Sequence, residues 1–130
     1  MSLDYVRRAR SAGRPLGIGP VEIVELDARK GGEAAARAAG GTLIACDEHG
    51  VARTSRDLAA RLAQLRDSGV RRLSFVIGGA DGLDPEILDA ASERLAFGPQ
   101  TWPHALARVM LAEQIYRALT ILAGTPYHRD

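Results

Sequence analysis

The chain has 130 residues, 46% of them hydrophobic and 25% charged, and its 17 Lys+Arg against 16 Asp+Glu leave a formal net charge of +1. Those proportions belong to ordinary soluble globular proteins, and the near-balance excludes a global field drawing the protein to a polyanion, so any nucleic-acid contact must come from a local patch. The single cysteine, Cys46, excludes an internal disulfide. Together with the lack of a signal-peptide h-region or an apolar run of membrane length, it points to the cytoplasm.

By length, residues 1–130 read as one domain with a single core. Met1-Ser2-Leu3 reads as a vector leader and is set aside. Lys30 is the only lysine, a bias that points to a GC-rich genome rather than to a binding function. Tyr5–Ala12 is basic and reads as a helix ended by Gly13-Arg14-Pro15, with Arg7, Arg8 and Arg10 on a solvated end or in a phosphate clamp. Val21–Leu26 alternates apolar and acidic residues, as a half-exposed strand does. Ala28–Ala39 is alanine-rich and helical, stopped by Gly40-Gly41. Thr42–Cys46 is the next apolar strand, followed by a polar turn over Asp47–Gly50. Thr54, with Asp57 three residues on, caps a helix carrying Leu58, Leu62 and Leu65 on one face, and Gly69 closes it.

The stretch Leu73–Gly82 predicts a buried strand of a parallel sheet that stops at Gly78-Gly79. Asp84 as N-cap and Pro85 at the first helical position then open a helix to about Glu93. A glycine turn at the carboxyl end of a strand is where open α/β sheets bind small ligands, although this one fits neither the dinucleotide nor the P-loop pattern. Arg94–Phe97 suits one more strand. The loop Gly98-Pro99-Gln100-Thr101-Trp102-Pro103 leads into a helix from about His104 to Ala123. Ala105, Val109, Ala112, Tyr116 and Leu119 line one face of that helix, and Leu111, Ile115, Ala118 and Leu122 another. Two apolar faces suggest burial on two sides, for which a second copy of the chain is the economical explanation. Strands alternating with helices make the fold α/β with a mainly parallel sheet.

Ile77-Gly78-Gly79-Ala80-Asp81-Gly82, Pro103-His104 with Arg108, Glu113-Gln114, Tyr116-Arg117-Ala118 and the ending Pro126-Tyr127-His128-Arg129 occur in order. This series resembles the ribosomal RNA large-subunit methyltransferase H family of the SPOUT superfamily, specifically from Ile77 to the end and more loosely from Val21 to Ser74. The resemblance implies a C-terminal trefoil knot, an exception to the rule that chains do not thread their own loops. It also implies S-adenosylmethionine as methyl donor with no metal, an obligate homodimer, and a pseudouridine of 23S rRNA methylated at N3 in the ribosome. By position it places the donor at Cys46, Gly79 and the loop Gly98, Pro99, Gln100, Thr101, Trp102 and Pro103. A sulfonium cation with an adenine suits backbone groups at close range and apolar walls, and the fixed φ of the prolines lowers the ordering cost. Cys46 is then a wall rather than a nucleophile.

On the acceptor side His104 either orients the base or caps the helix, and Arg108 and Arg117 either meet RNA phosphate or pair with Glu113. Tyr127, His128 and Arg129 combine a stacking ring, an imidazole and a guanidinium, the usual tools for an unpaired RNA base. By resemblance this tail reaches the partner's donor site, where His128 or Arg129 stabilises the anion developing at N3. Two departures stand out. Family chains carry a further hydrophobic strand and loop upstream of Asp4, and the segment between Lys30 and Gly41 is shorter here. A non-catalytic RNA- or ribosome-binding relative, inactivated by N-terminal shortening, is therefore the rival reading. A flavodoxin-like nucleotide binder is the third.

Overall fold

The computed structural model describes residues 2–19, 21–26, 42–78, 83, 85–97 and 103–129. The elements are α1 (Ser2–Gly13) with a 3₁₀ turn at Arg14–Leu16, β1 (Val21–Leu26), β2 (Thr42–Ala52), α2 (Ser55–Asp67), β3 (Leu73–Gly78), α3 (Pro85–Ala90), β4 (Glu93–Ala96) and α4 (His104–Ala123). The helix expected over 28–39 and the N-cap at Asp84 lie outside the described residues.

Among the described residues the four strands run parallel in the order β1-β3-β2-β4, as the alternation of strands and helices requires. The apolar run Leu73–Ile77 is buried along its whole length. Successive side chains point to opposite faces of a strand, and the packing follows that rule. Phe75 joins Ile23, Ile44, Leu62, Leu111 and Ile115 in the main core, whereas Val76 meets Leu43 and Ile87 on the other side. So α1, α2 and α4 cover one face and α3 the other.

Local chemistry explains the element ends. Thr54 Oγ1 accepts from the Asp57 amide at 3.0 Å while Asp57 Oδ2 accepts from the Thr54 amide at 3.4 Å, the reciprocal box that starts α2. Its other end turns at Gly69, where φ is +90°. The helix α3 stops at Ala90, short of the expected Glu93. The Ser92 amide donates to the Leu43 carbonyl of β2 at 2.8 Å, so ladder pairing takes over and Glu93 opens β4.

Two further expectations are corrected. Asp47–Gly50 does not end β2, which continues to Ala52. Cys46 and Val51 both pair with Leu95, so the polar residues form an irregularity within the ladder. Gly50 is required there: a Cβ would stand 2.7 Å from the Arg94 backbone of β4. The second correction concerns α4. Its middle is buried within the chain itself, with Leu111, Ala112, Ile115, Ala118 and Leu119 all closed off. The core side faces the sheet and α2, and α1 packs along the remainder. Two apolar faces therefore do not call for a partner subunit, because α1 supplies the second cover.

Candidate functional site at the carboxyl ends of the strands

Parallel strands present all their carboxyl ends at one edge of the sheet, and this edge holds the described part of the expected donor site. Cys46 sits in a cross-strand row with Ile77 of β3 and Leu95 of β4. Gly79 follows Ile77 by two residues and Gly98 follows Leu95 by three in the sequence. Gly79, Gly98, Pro99, Gln100, Thr101 and Trp102 lie outside the described residues, as does the side chain of His104. Pro103 is exposed, and its carbonyl accepts from the Ala107 amide at 2.9 Å to start α4. Cys46 is half-buried against the main core. Burial pushes its thiol up to about 12, so it is neutral and unreactive near pH 7 and offers an apolar surface. An uncharged wall of this kind fits a sulfonium donor that needs no anion-binding cradle.

Beside this edge lies a cavity of about 500 Å³ that sequence reasoning did not anticipate. Leu95, Ala96 and Phe97 at the end of β4, Ala52–Ser55 between β2 and α2, and Leu58 line it on the sheet side. Val109, Met110, Glu113 and Gln114 of α4, with Tyr5 of α1, close the opposite side. Of the expected site residues that the structure describes, Cys46, Pro103, Arg108, Tyr127, His128 and Arg129 are not in this lining, although Arg108 is half-buried on the same helix next to Val109. The signal in the sequence was Glu113, the one acidic residue of a largely apolar helix.

The tail is brought back onto α4. Gly124 adopts φ +74° past the helix end, a left-handed conformation that glycine enters without strain. The Thr125 amide then donates to the Thr120 carbonyl at 3.0 Å. Chain reversal carries Tyr127 to Glu113, fourteen residues earlier, where its hydroxyl donates to Oε1 at 3.2 Å. The same oxygen accepts from Arg117 Nε at 2.8 Å and lies 2.7 Å from Nη2. Of the two fates open to Arg117, the structure gives the ion pair with Glu113. That pairing, chiefly through its hydrogen bond, holds the guanidinium above its ordinary value. Glu113 Oε2 accepts from Gln114 Nε2 at 3.0 Å, and Gln114 Oε1 accepts from Ser55 Oγ at 2.6 Å.

The Tyr127 ring is engaged on more than one side. Tyr116 meets it edge-on with centroids 4.8 Å apart, and Arg117 Cζ stands 5.1 Å from its centroid. Burial first, then hydrogen bonding with Tyr5 and the charge on Glu113, push its phenol up to about 12. His128 Nδ1 lies 3.2 Å from Arg117 Nη1. Arginine has only donors, so Nδ1 accepts and the neutral ring carries its proton on Nε2. In this arrangement Nδ1 is taken up by Arg117 and the ring's own N–H is at Nε2. Arg129 is exposed. The structure thus brings Tyr127, His128 and Arg117 together, and leaves Cys46 on the sheet edge outside that cluster.

Comparison with known proteins gives the family. Residues 20–128 match the family model described as "Predicted SPOUT methyltransferase". A ribosomal RNA large subunit methyltransferase H of Caulobacter sp. (strain K31) is 62% identical, across 100% of this chain and 88% of the relative. Its namesake from Phenylobacterium zucineum (strain HLK1) is also 62% identical, across 97% and 86%. The one from Caulobacter vibrioides is 61% identical, across 100% and 88%. A likeness this close over this much of the sequence leaves one conclusion: the chain belongs to the ribosomal RNA large-subunit methyltransferase H family of SPOUT methyltransferases.

Proposed function

We propose that this protein is an S-adenosylmethionine-dependent rRNA methyltransferase that methylates N3 of a pseudouridine in 23S rRNA of the assembled ribosome, as a cytoplasmic homodimer with a trefoil-knotted C-terminal half. The observation that carries the reading is the match to relatives named as ribosomal RNA large subunit methyltransferases across 97–100% of the chain, two of them over its whole length. The donor, when bound, supplies an electrophilic methyl group; the remaining work falls to the chain's own residues. Cys46 walls the donor, with Gly79 and the segment from Gly98 to Pro103 supplying backbone at close range.

Methylation at N3 would require that nitrogen to release its imino proton, which passes to bulk water. Negative charge developing on the base is met by donors, and His128 through Nε2–H and the Arg129 guanidinium are suited to that role. A neutral Cys46 thiol does not compete for the methyl group, since only a thiolate is a strong nucleophile. Arg108 is assigned to RNA phosphate and His104 to orienting the base. In the homodimer each tail would serve the partner's donor pocket, so that one site draws on two chains.

Isothermal titration with S-adenosylmethionine and transfer of a labelled methyl group to ribosomes lacking the modification test this reading. Saturable donor binding and incorporation into 23S rRNA are expected. Absence of donor binding by a folded protein refutes it in favour of a non-catalytic relative.

A further inference from the structure

The tail of this chain has an anchor and a working end, and one carboxylate separates them. We infer that Glu113 is a positioning residue: by seating the Tyr127 hydroxyl and the Arg117 guanidinium on a single oxygen, it fixes where His128 and Arg129 leave the body of the protein. The inference rests on the methyltransferase reading for what the clamp serves, and on geometry for the clamp itself.

Three observations carry it. Glu113 Oε1 gathers Arg117 Nε at 2.8 Å, Arg117 Nη2 at 2.7 Å and the Tyr127 hydroxyl at 3.2 Å, so helix and tail share one acceptor. Arg117 in turn meets His128 Nδ1 at 3.2 Å, which sets the tautomer of that ring. Glu113 Oε2 is held by Gln114, itself held by Ser55 at the start of α2, so the clamp is braced against the wall of the cavity. A carboxylate with donors on both oxygens in a half-buried setting is confined to one rotamer, and it confines its partners.

The consequence for Tyr127 departs from its expected use as a stacking ring. With Tyr116 against it at 4.8 Å and Arg117 at 5.1 Å, part of its half-buried ring is already engaged within the chain. It anchors; His128 and Arg129, one and two residues beyond, act.

Glu113→Gln, Tyr127→Phe and the double variant separate these roles, because both changes keep shape and Phe keeps a stacking face. The first readout is amide hydrogen exchange of the segment 125–130, checked against unchanged exchange in α2 to exclude general unfolding. Tyr127→Phe, which loses one charge-assisted hydrogen bond, is expected to speed tail exchange roughly tenfold, and Glu113→Gln, which also loses the ion pair with Arg117, at least as much. Tyr127→Phe removes one contact of a Glu113 oxygen whose other partners Glu113→Gln also weakens, so the double variant should be little worse than Glu113→Gln alone.

The second readout is kinetic, with ribosomes as acceptor. Turnover should fall roughly 10²-fold, the cost of about 1 Å of misplacement, with donor affinity by titration unchanged. Unaltered tail exchange in both single variants overturns the clamp. Faster exchange with wild-type turnover overturns its service to the reaction. A fully active Tyr127→Phe beside an inactive Tyr127→Ala restores the stacking role and overturns the anchor. A wild type that transfers no methyl group overturns the parent reading, while the exchange arm still judges the clamp.

Discussion

Leu119→Ala tests whether α4 is held by its own chain. Leu119 has no exposed surface and belongs to the core cluster with Leu111, Ile115 and Phe75. Truncating a fully buried leucine removes its transfer free energy and leaves a cavity, together about 3–5 kcal/mol. At roughly 2.1 cal/mol/K per residue of unfolding entropy, a domain of this size loses about 10–18 °C of melting temperature. Differential scanning calorimetry of wild type and variant, each at several matched concentrations, measures the shift. If Leu119 packs within the chain, the gap between the two melting temperatures stays constant as concentration changes. If it instead packs chiefly against a second copy, the folded variant keeps a near wild-type monomer and loses association by sedimentation. That second outcome would refute the in-chain cover of α4 by α1.

Three other outcomes are expected. Cys46, with its thiol raised to about 12, should react slowly with a disulfide reagent at pH 8 in the native protein and at the ordinary rate in urea; a native labelling midpoint near pH 9 would contradict the burial. Because that pKa is raised on folding, the stability it contributes is intact below about pH 9 and is lost as pH climbs through about 12. Tyr127 should ionise late, near pH 12: the folded state holds the phenolic proton more tightly, so tail docking is complete below about pH 10 and is lost as pH climbs through about 12. Absorbance at alkaline pH in wild type and Tyr127→Phe reads this directly, and early loss of the Tyr127 signal would count against the docked tail. Glu93, 2.7 Å from Arg61 and 3.7 Å from Arg53, ties the edge strand β4 to α2. Glu93→Ala should cost about 1–2 kcal/mol by stranding two part-buried guanidinium groups, measured by urea unfolding, and an unchanged midpoint would show the pair to be idle.

Local signals in the sequence carried much of the fold. The unbroken apolar run from Leu73 to Ile77, the Thr54–Asp57 box and the limits of α4 are all written within a few residues of where they act. What was not legible depends on partners far away. Asp47–Gly50 has the composition of a turn, and only pairing with β4 keeps β2 going to Ala52. The apolar second face of α4 gives no hint that α1, a basic helix, will cover it. The Glu113–Tyr127 contact spans fourteen residues with a chain reversal between, so no helical spacing announces it. The cavity escaped notice for the same reason, since its walls come from α1, α2, β4 and α4.

The seating of α1 against α4 joins the first helix of the chain to the last, and this governs how the protein is made. Synthesis is vectorial. Among the described strands β1 pairs with β3 alone, which is complete some seconds later at roughly 5–20 residues per second. The helix α1 waits longer still, for a helix that ends only at Ala123. Most of the sheet pairs non-locally, a topology that folds slowly. The nascent chain thus carries its N-terminal third open until the last helix emerges, and an arrest before α4 leaves Phe75 and the face around it bare to solvent and chaperones.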